Sequence, residues 1–309
     1  DQEAAKWLRK AAEQGHAKGQ YALGIMYANG FGMLKDYKDA FKWHRKAAEQ
    51  GYADAQFKLG SMYVEGQGVT QDYEQAAKWL RKAAEQSHAN AQYILWIAYK
   101  EGAGVPQDEK IAVKWLRKAA EQGHLEGQLK LGGMYALGRA VPQDFEEAAE
   151  WYRKAAEQGD ADAQAKLSAV YISGRGVPQD FDEGAKWARK AAEQGNAMGQ
   201  LVLGSVYMKG QGVPQDEQKA AEWYRKAAEQ GLIEGQYLLG IIYANGQGVP
   251  QDYEESYFWL NLAASQDSQY SDVRDEVNSK LTPEQRARAQ KRAREWKPET
   301  NAKTLGGNE

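Results

Sequence analysis

Residues 7–15 read Trp-Leu-Arg-Lys-Ala-Ala-Glu-Gln-Gly, and this stretch returns along the chain at a constant spacing. Its tryptophan recurs every 36 residues without an insertion, at Trp7, Trp43, Trp79, Trp115, Trp151, Trp187, Trp223 and Trp259. The segment Lys-Ala-Ala-Glu-Gln follows seven of these tryptophans and has diverged only after the last one. Units of this size bury their apolar face by stacking on their neighbours, so the period predicts a solenoid.

Each period predicts two helices. In the first full copy, apolar side chains at helical spacing over residues 17–29 predict one helix, which we call helix A. Gly30 ends helix A, and most later copies carry a proline in the connector that follows, where a helix cannot continue. Asp36 is then expected to cap a second helix, helix B, which ends at Gly51.

Composition excludes several classes of protein. The chain has 309 residues, a formal net charge of −3 and no cysteine, so disulfides and thiolate sites are absent. The charge is too balanced to imply nucleic acid or anionic lipid by itself. No apolar run approaches the ~18 residues that span a bilayer, so no membrane span is expected.

The repeat pattern divides the chain into three parts. Residues 1–265 hold a half repeat, 1–15, and seven helix pairs that begin at residues 16, 52, 88, 124, 160, 196 and 232. Residues 266–297 are predicted to form helices that cap the last open face, with Thr282 starting the final helix. Residues 298–309 are predicted to be a disordered tail. Because Asp1 falls just inside a helix B, we expect that further residues preceded it.

The motif as a whole resembles the Sel-1-like repeat, a branch of the tetratricopeptide superfamily. Residues 17–30 carry Ala-x-x-x-x-x-Leu-Gly-x-x-Tyr-x-x-Gly, and helix B carries Ala-x-x-Trp-x-x-Lys-Ala-Ala-x-Gln-Gly. The match recurs over residues 1–265. The resemblance implies an all-α, right-handed superhelical solenoid of antiparallel helix pairs, with helix A on the concave side. It also implies adaptor or scaffold work in bacteria, in the periplasm or cell envelope rather than the cytoplasm.

Positions that are the same in every copy are expected to build the fold. The leucine column from Leu23 to Leu239 and the tyrosine column from Tyr27 to Tyr243 are therefore predicted to be core. The glutamine column from Gln20 to Gln236 is interpreted as an amide that satisfies backbone groups between helices.

Positions on helix A that vary between copies are candidates for binding. The positions one helical turn on either side of Leu23 and Tyr27 are rich in apolar residues. An exposed apolar surface of this extent is expected to be covered by something. We predict a partner-binding surface on the concave face, formed by Tyr21, Ile25, Phe57, Tyr93, Trp96, Ile97, Leu129, Leu137, Ile172, Leu201, Met208, Tyr237 and Ile241. The alternative is that some of these side chains pack between adjacent A helices.

Trp96 stands where the other copies carry glycine or serine. An indole at this position requires local repacking, so it is interpreted either as a change of packing in the third copy or as a contact with a partner.

No catalytic, cofactor or metal site is predicted. His16, His88 and His124 occupy the same place in different copies, and stacked copies hold them too far apart to share one ion. The Gly-x-Gly connectors follow helix C-termini, where the dipole repels phosphate. The basic residues of the last helix are interpreted as a solvated face of the end cap, although such a patch is also found at nucleic-acid interfaces.

The sequence thus favours a non-enzymatic scaffold that binds another polypeptide. The alternative, permitted by the family resemblance alone, is an immunity protein that neutralises a secreted bacterial toxin such as a lipase effector.

Overall fold

The structure, a computed structural model, describes residues 2–299, which contain seventeen α-helices, one 3-10 helix and no strand. The described helices divide into two compact units, one up to Asp144 and one from Phe145. The first unit contains α1 (Gln2–Glu13), α2 (Ala17–Asn29), α3 (Tyr37–Glu49), α4 (Ala53–Glu65), α5 (Tyr73–Glu85), α6 (Ala89–Glu101), α7 (Glu109–Glu121) and α8 (Leu125–Leu137).

The second unit continues the alternation and then changes at its end. It contains α9 (Phe145–Glu157), α10 (Ala161–Ser173), α11 (Phe181–Glu193), α12 (Ala197–Lys209), α13 (Glu217–Glu229), α14 (Ile233–Asn245), α15 (Tyr253–Gln266), the 3-10 helix Ser268–Tyr270, α16 (Ser271–Asn278) and α17 (Pro283–Glu295). In both units the even-numbered helices up to α14 are A helices and the odd-numbered helices up to α15 are B helices. Consecutive helices pack as antiparallel pairs within each unit, which confirms the predicted all-α repeat solenoid.

A small residue on helix A lets the two helices of a pair approach closely. At Gly60, an added Cβ would lie 2.7 Å from Cγ of Leu80 on the next helix, well inside van der Waals contact. The leucine one position earlier, Leu59, is completely buried, as are the equivalents Leu23, Leu95, Leu131, Leu167, Leu203 and Leu239. The leucine column is therefore core, as predicted.

Helix ends follow the sequence signals. Asp36 begins α3 and accepts the backbone N–H groups of Lys38 and Asp39 through its carboxylate. Gly30 ends α2 in the left-handed conformation that glycine adopts without strain. The second connector glycine, Gly68, also has a positive φ, and a Cβ there would collide with the carbonyl oxygen of Tyr37. One copy carries Ala140 at the equivalent position.

Buried glutamines join consecutive repeats. The Nε2 of Gln20 donates to the carbonyl of Ala12 at 3.1 Å, and Gln50 donates to the Oε1 of Gln20 at 2.7 Å. The same bond to the carbonyl eight residues earlier is made by Gln56, Gln92, Gln128, Gln164 and Gln236. The prediction that this column satisfies backbone groups between helices is confirmed, since each carbonyl belongs to the preceding helix B.

The C-terminal part of the second unit departs from the repeat. Between α15 and α17 the chain forms a 3-10 helix, Ser268–Tyr270, followed by the short α16. Thr282 and Gln285 make the reciprocal capping box at the start of α17. Val277, Leu281 and Ala289 are buried against α15. That this segment covers the end of the array stays a prediction.

The segment after α17 returns to the second unit. The backbone N–H of Glu299 donates to the carbonyl of Glu229 on α13 at 2.8 Å. The first two residues of the predicted tail, 298 and 299, are thus placed against α13, and residues 300–309 lie outside the described residues.

Candidate functional site

The predicted binding residues lie on one face of the A helices, which we call the A face and describe separately for each unit. In the first unit, Tyr21, Ile25, Phe57, Tyr93, Ile97 and Leu129 are half-buried, and Leu137 is 62% exposed. In the second unit, Ile172, Leu201, Met208, Tyr237 and Ile241 are half-buried. Each unit therefore presents apolar side chains that are neither fully covered nor fully solvated.

The aromatic rings of the A face do not stand alone. Phe57 stacks on His88 with ring centroids 4.5 Å apart, and Tyr93 stacks on His124 at 4.4 Å. His88 and His124 each precede the next A helix by one residue, so one side of each ring packs between repeats. Packing between repeats was the alternative that the sequence left open, and it applies to Phe57 and Tyr93. Both side chains nevertheless remain half-buried rather than fully covered.

Tyr21 and Tyr237, the first and last aromatic residues of the A faces, also pack against another ring on one side. Tyr21 packs edge-on against Tyr52 at 5.2 Å in the first unit. In the second unit Tyr237 stacks on Tyr270 of the 3-10 helix at 4.6 Å. Rings held on one side in this way lose little rotamer freedom when a partner covers the other side.

Histidines and acids adjoin these stacks. The Nδ1 of His88 accepts the N–H of Ala91, which makes His88 the N-cap of α6, and His124 caps α8 in the same way. Burial lowers the pKa of both imidazoles, against the opposing effect of Asp54 on His88 and of Glu126 on His124. The neutral form is therefore favoured, which the cap requires because a protonated Nδ1 accepts no bond.

Trp96 contributes little to the A face, because only 9% of it is exposed. Its ring lies along its own helix, 5.1 Å from the ring of Tyr93 and with the Nζ of Lys100 5.8 Å from its centroid. This arrangement favours the interpretation of Trp96 as a local change of packing.

The B helices carry two ladders that the sequence interpretation missed. The Nζ of Lys82 lies 4.1 Å above the ring of Trp79, and the equivalent pairs follow through both units. In six copies, the arginine two residues after the tryptophan donates to the tyrosine hydroxyl of the following A helix, as Arg153 does to Tyr171 at 3.1 Å. Arg45 instead pairs with Glu49, and Asn261 takes the place of arginine after Trp259. The signal was the recurring arginine of the repeat, which explains how the polar end of most of the tyrosine column is satisfied.

The basic residues of α17 are partly neutralised by α15. Arg288 forms a bidentate pair with Glu254, and Arg292 lies 2.6 Å from Glu255. These contacts support the interpretation of α17 as an end cap rather than a nucleic-acid interface.

The described residues offer little for metal chemistry or membrane insertion. Over residues 2–299, no three His, Asp or Glu side chains gather at metal-binding distances. In the same part of the chain, each helix is too short or too polar to cross a bilayer. The A face can act through apolar contact, aromatic stacking and hydrogen bonding, which are the interactions that bind polypeptides.

Comparison with known proteins gives a consistent match. The family model described as Sel1 repeat matches eight consecutive segments: residues 1–16, 17–52, 53–88, 89–124, 125–160, 161–196, 197–232 and 233–268. A search of curated proteins gives no match.

Two structures are similar over most of their length. A Sel1 repeat protein from Oxalobacter formigenes is 37% identical, with a TM-score of 0.62 over 90% of this chain and 80% of that one. A protective antigen of uropathogenic Escherichia coli is 31% identical, with a TM-score of 0.55 over 94% of this chain and 86% of that one. An immunity protein of Pseudomonas aeruginosa is 20% identical with a TM-score of 0.38, which is too weak a likeness to carry the immunity alternative.

Proposed function

Because this chain belongs to the Sel1 repeat family, whose members generally mediate protein–protein interactions, we propose that it is a non-enzymatic scaffold that binds a partner polypeptide on its A faces. The observation that carries this proposal is the row of half-exposed apolar side chains held in place by inter-repeat stacks. Such a row is pre-organised, so binding costs little side-chain entropy.

The first unit carries the richer A face. Ile25, Phe57, Tyr93 and Ile97 follow one another along α2, α4 and α6, and each is half-buried. When residues of this kind become fully buried at the centre of an interface, they contribute most of the binding free energy. A polypeptide laid across these helices would cover them in succession.

The sharpest test changes the surface without changing the fold. Ser61 occupies on α4 the position that Ile25 and Ile97 occupy on α2 and α6, so serine is compatible with this position. We expect the double variant Ile25→Ser/Ile97→Ser to keep its helical circular dichroism. A polypeptide that co-purifies with the wild-type chain should bind it roughly tenfold more weakly or worse, since each substitution removes partly buried apolar area.

The matched control is Lys82→Ser, an exposed residue of helix α5 whose substitution leaves the A face intact. This control should retain the partner at wild-type affinity. Retention of full affinity by the double serine variant, or a wild-type chain that holds no polypeptide in constant ratio, would contradict the proposal.

A further inference from the structure

A cavity of about 850 Å³ lies in the second unit, and none of the A-face residues line it. It is lined by residues of α13, α14, α15 and α17, by the connector that precedes α15, and by the segment that follows α17. That segment returns to α13 through the Glu299 to Glu229 backbone bond. Its volume falls in the range of clefts that bind ligands, roughly 300–1,000 Å³. The earlier repeats have no α17, so this cavity belongs to the end of the array alone.

Aromatic side chains form part of its wall. Trp259 and Trp296 both line the cavity, with their rings 6.2 Å apart and nearly perpendicular. Only 4% of the surface of Trp259 is exposed, and its indole N–H has no acceptor among the described residues. Indole faces attract cations within about 6 Å by their quadrupole, by ~0.5–2 kcal/mol.

Five carboxylates and three basic side chains line the cavity, so its charge is negative overall. One of the basic groups has an anionic partner, because Arg292 pairs with Glu255. Arg225 donates to the neutral hydroxyl of Tyr243 and keeps its positive charge. Among the acids, Asp252 is used as the N-cap of α15.

Glu229, Glu295 and Glu299 have no ion pair among residues 2–299, and neither do the two basic lining residues Arg225 and Lys297. The excess of unpaired charge in the cavity is therefore carboxylate.

Two of these acidic residues are neighbours in the cavity wall. The backbone N–H of Glu299 donates to the carbonyl of Glu229, and both residues line the cavity. Burial and the neighbouring Glu299 raise the pKa of Glu229, with Arg225 and Lys226 opposing that rise. The equivalent residue one repeat earlier, Glu193, is exposed and has no such neighbour. A cation between Glu229 and Glu299 would relieve their repulsion.

We propose that this cavity accepts a basic side chain, lysine or arginine, of a partner polypeptide. Glu229 and Glu299 act as its counter-ions, and the rings of Trp259 and Trp296 enclose its alkyl stem. An ammonium supplies three donors and a guanidinium five, enough for both carboxylates at once. This site is formed by B helices, the end cap and Tyr243 of α14, and it contains none of the A-face residues, so it does not depend on the A face.

The test follows the indole N–H signals of Trp259 and Trp296 in ¹⁵N-labelled full-length protein by NMR. The probes are the blocked tripeptides acetyl-Gly-Lys-Gly-amide and acetyl-Gly-Arg-Gly-amide, with acetyl-Gly-Leu-Gly-amide and acetyl-Gly-Glu-Gly-amide as neutral and acidic controls. We expect a saturable shift with the two basic peptides and no saturable shift with the controls. Equal shifts from the leucine peptide would overturn the proposal.

Variants assign the counter-ions. Glu229→Gln should weaken binding of the basic peptides about fivefold, the loss of one partly exposed ion pair, and Glu229→Gln/Glu299→Gln should abolish it. Glu193→Gln, the matched control, should bind as the wild type does. Unchanged binding by the double variant would overturn the proposal.

Discussion

His44 is a buried base whose replacement by leucine is expected to stabilise the first unit, and increasingly so in acid. Its side chain is fully buried against Gly24, and neither ring nitrogen has a partner among the described residues. Other copies carry leucine at this place, as in Leu80, Leu116 and Leu260, and all three are buried. His44→Leu therefore restores an apolar residue of similar volume at a position the fold already accepts.

The magnitude has two parts. At neutral pH, leucine removes a buried unsatisfied donor and acceptor, which cost about 1–3 kcal/mol each, while the 5.4 Å ring contact with Tyr21 is lost. We expect a net gain of roughly 2 kcal/mol in the free energy of unfolding at pH 7.

The second part depends on pH. Burial, aided by Lys58, lowers the pKa of His44 from 6.5 to about 4. A lowered folded-state pKa gives stability that is complete above the unfolded pKa and is lost as pH falls towards the folded pKa, because the unfolded chain binds the proton first. The lowered pKa of His44 costs the wild-type protein about 3 kcal/mol of unfolding free energy in total once the pH is below about 4. Roughly 2 kcal/mol of this loss occurs between about pH 7 and about pH 5. The advantage of His44→Leu should therefore grow to roughly 4 kcal/mol at about pH 5.

Urea unfolding followed by far-UV circular dichroism measures this difference at both pH values. His88 and His124 also have lowered pKa values, but they are present in both proteins and cancel in the comparison. His16→Gln, at an exposed histidine, is the control and should leave the free energy of unfolding unchanged. An advantage of His44→Leu that is the same at both pH values, or a His44 imidazole that titrates near 6.5 by NMR, would refute the reasoning.

Two further predictions concern the backbone and the amide ladder. Ser87 and Ala140 have φ values of 65° and 62° at positions where other copies carry glycine, so Ser87→Gly and Ala140→Gly should each raise the free energy of unfolding by roughly 0.5–1 kcal/mol. Ala136→Gly inside α8 is the control and should lower it by about 1 kcal/mol; a loss at either turn position would count against the strain argument. Gln56→Ala removes the bond to Ala48 and the acceptor for Gln86, and thermal unfolding should show a loss of about 2–3 kcal/mol. Gln86→Ala, on the exposed side of the same bond, should lose about 1 kcal/mol or less, and equal losses in the two variants would argue against a buried role for Gln56.

Much of the fold could be predicted from the sequence because the signals are local and repeated. Asp36 and Gly30 mark the ends of neighbouring helices by their own side-chain and backbone chemistry, and the structure places them there. The role of the glutamine column could also be predicted, since a polar side chain that recurs at a core position must find a partner.

The details of the candidate site could not be predicted in the same way. The stack of Phe57 on His88 joins residues 31 positions apart, and only the packing of one repeat on the next determines that they meet. Likewise, Trp96 departs from the repeat, and the repeat pattern does not determine whether its ring turns along its own helix or outward. The bond between Glu299 and Glu229 depends on the path of the chain after α17, which no repeat describes.

Photo-crosslinking from single positions tests the central claim most directly. Benzoylphenylalanine replaces Ile97 on the A face in one protein and Lys82 on the opposite helix surface in another, each incubated with the co-purifying polypeptide. We expect the covalent product to form from position 97 and not from position 82. A product that forms from position 82 alone, or equally from both positions, would contradict binding on the A face.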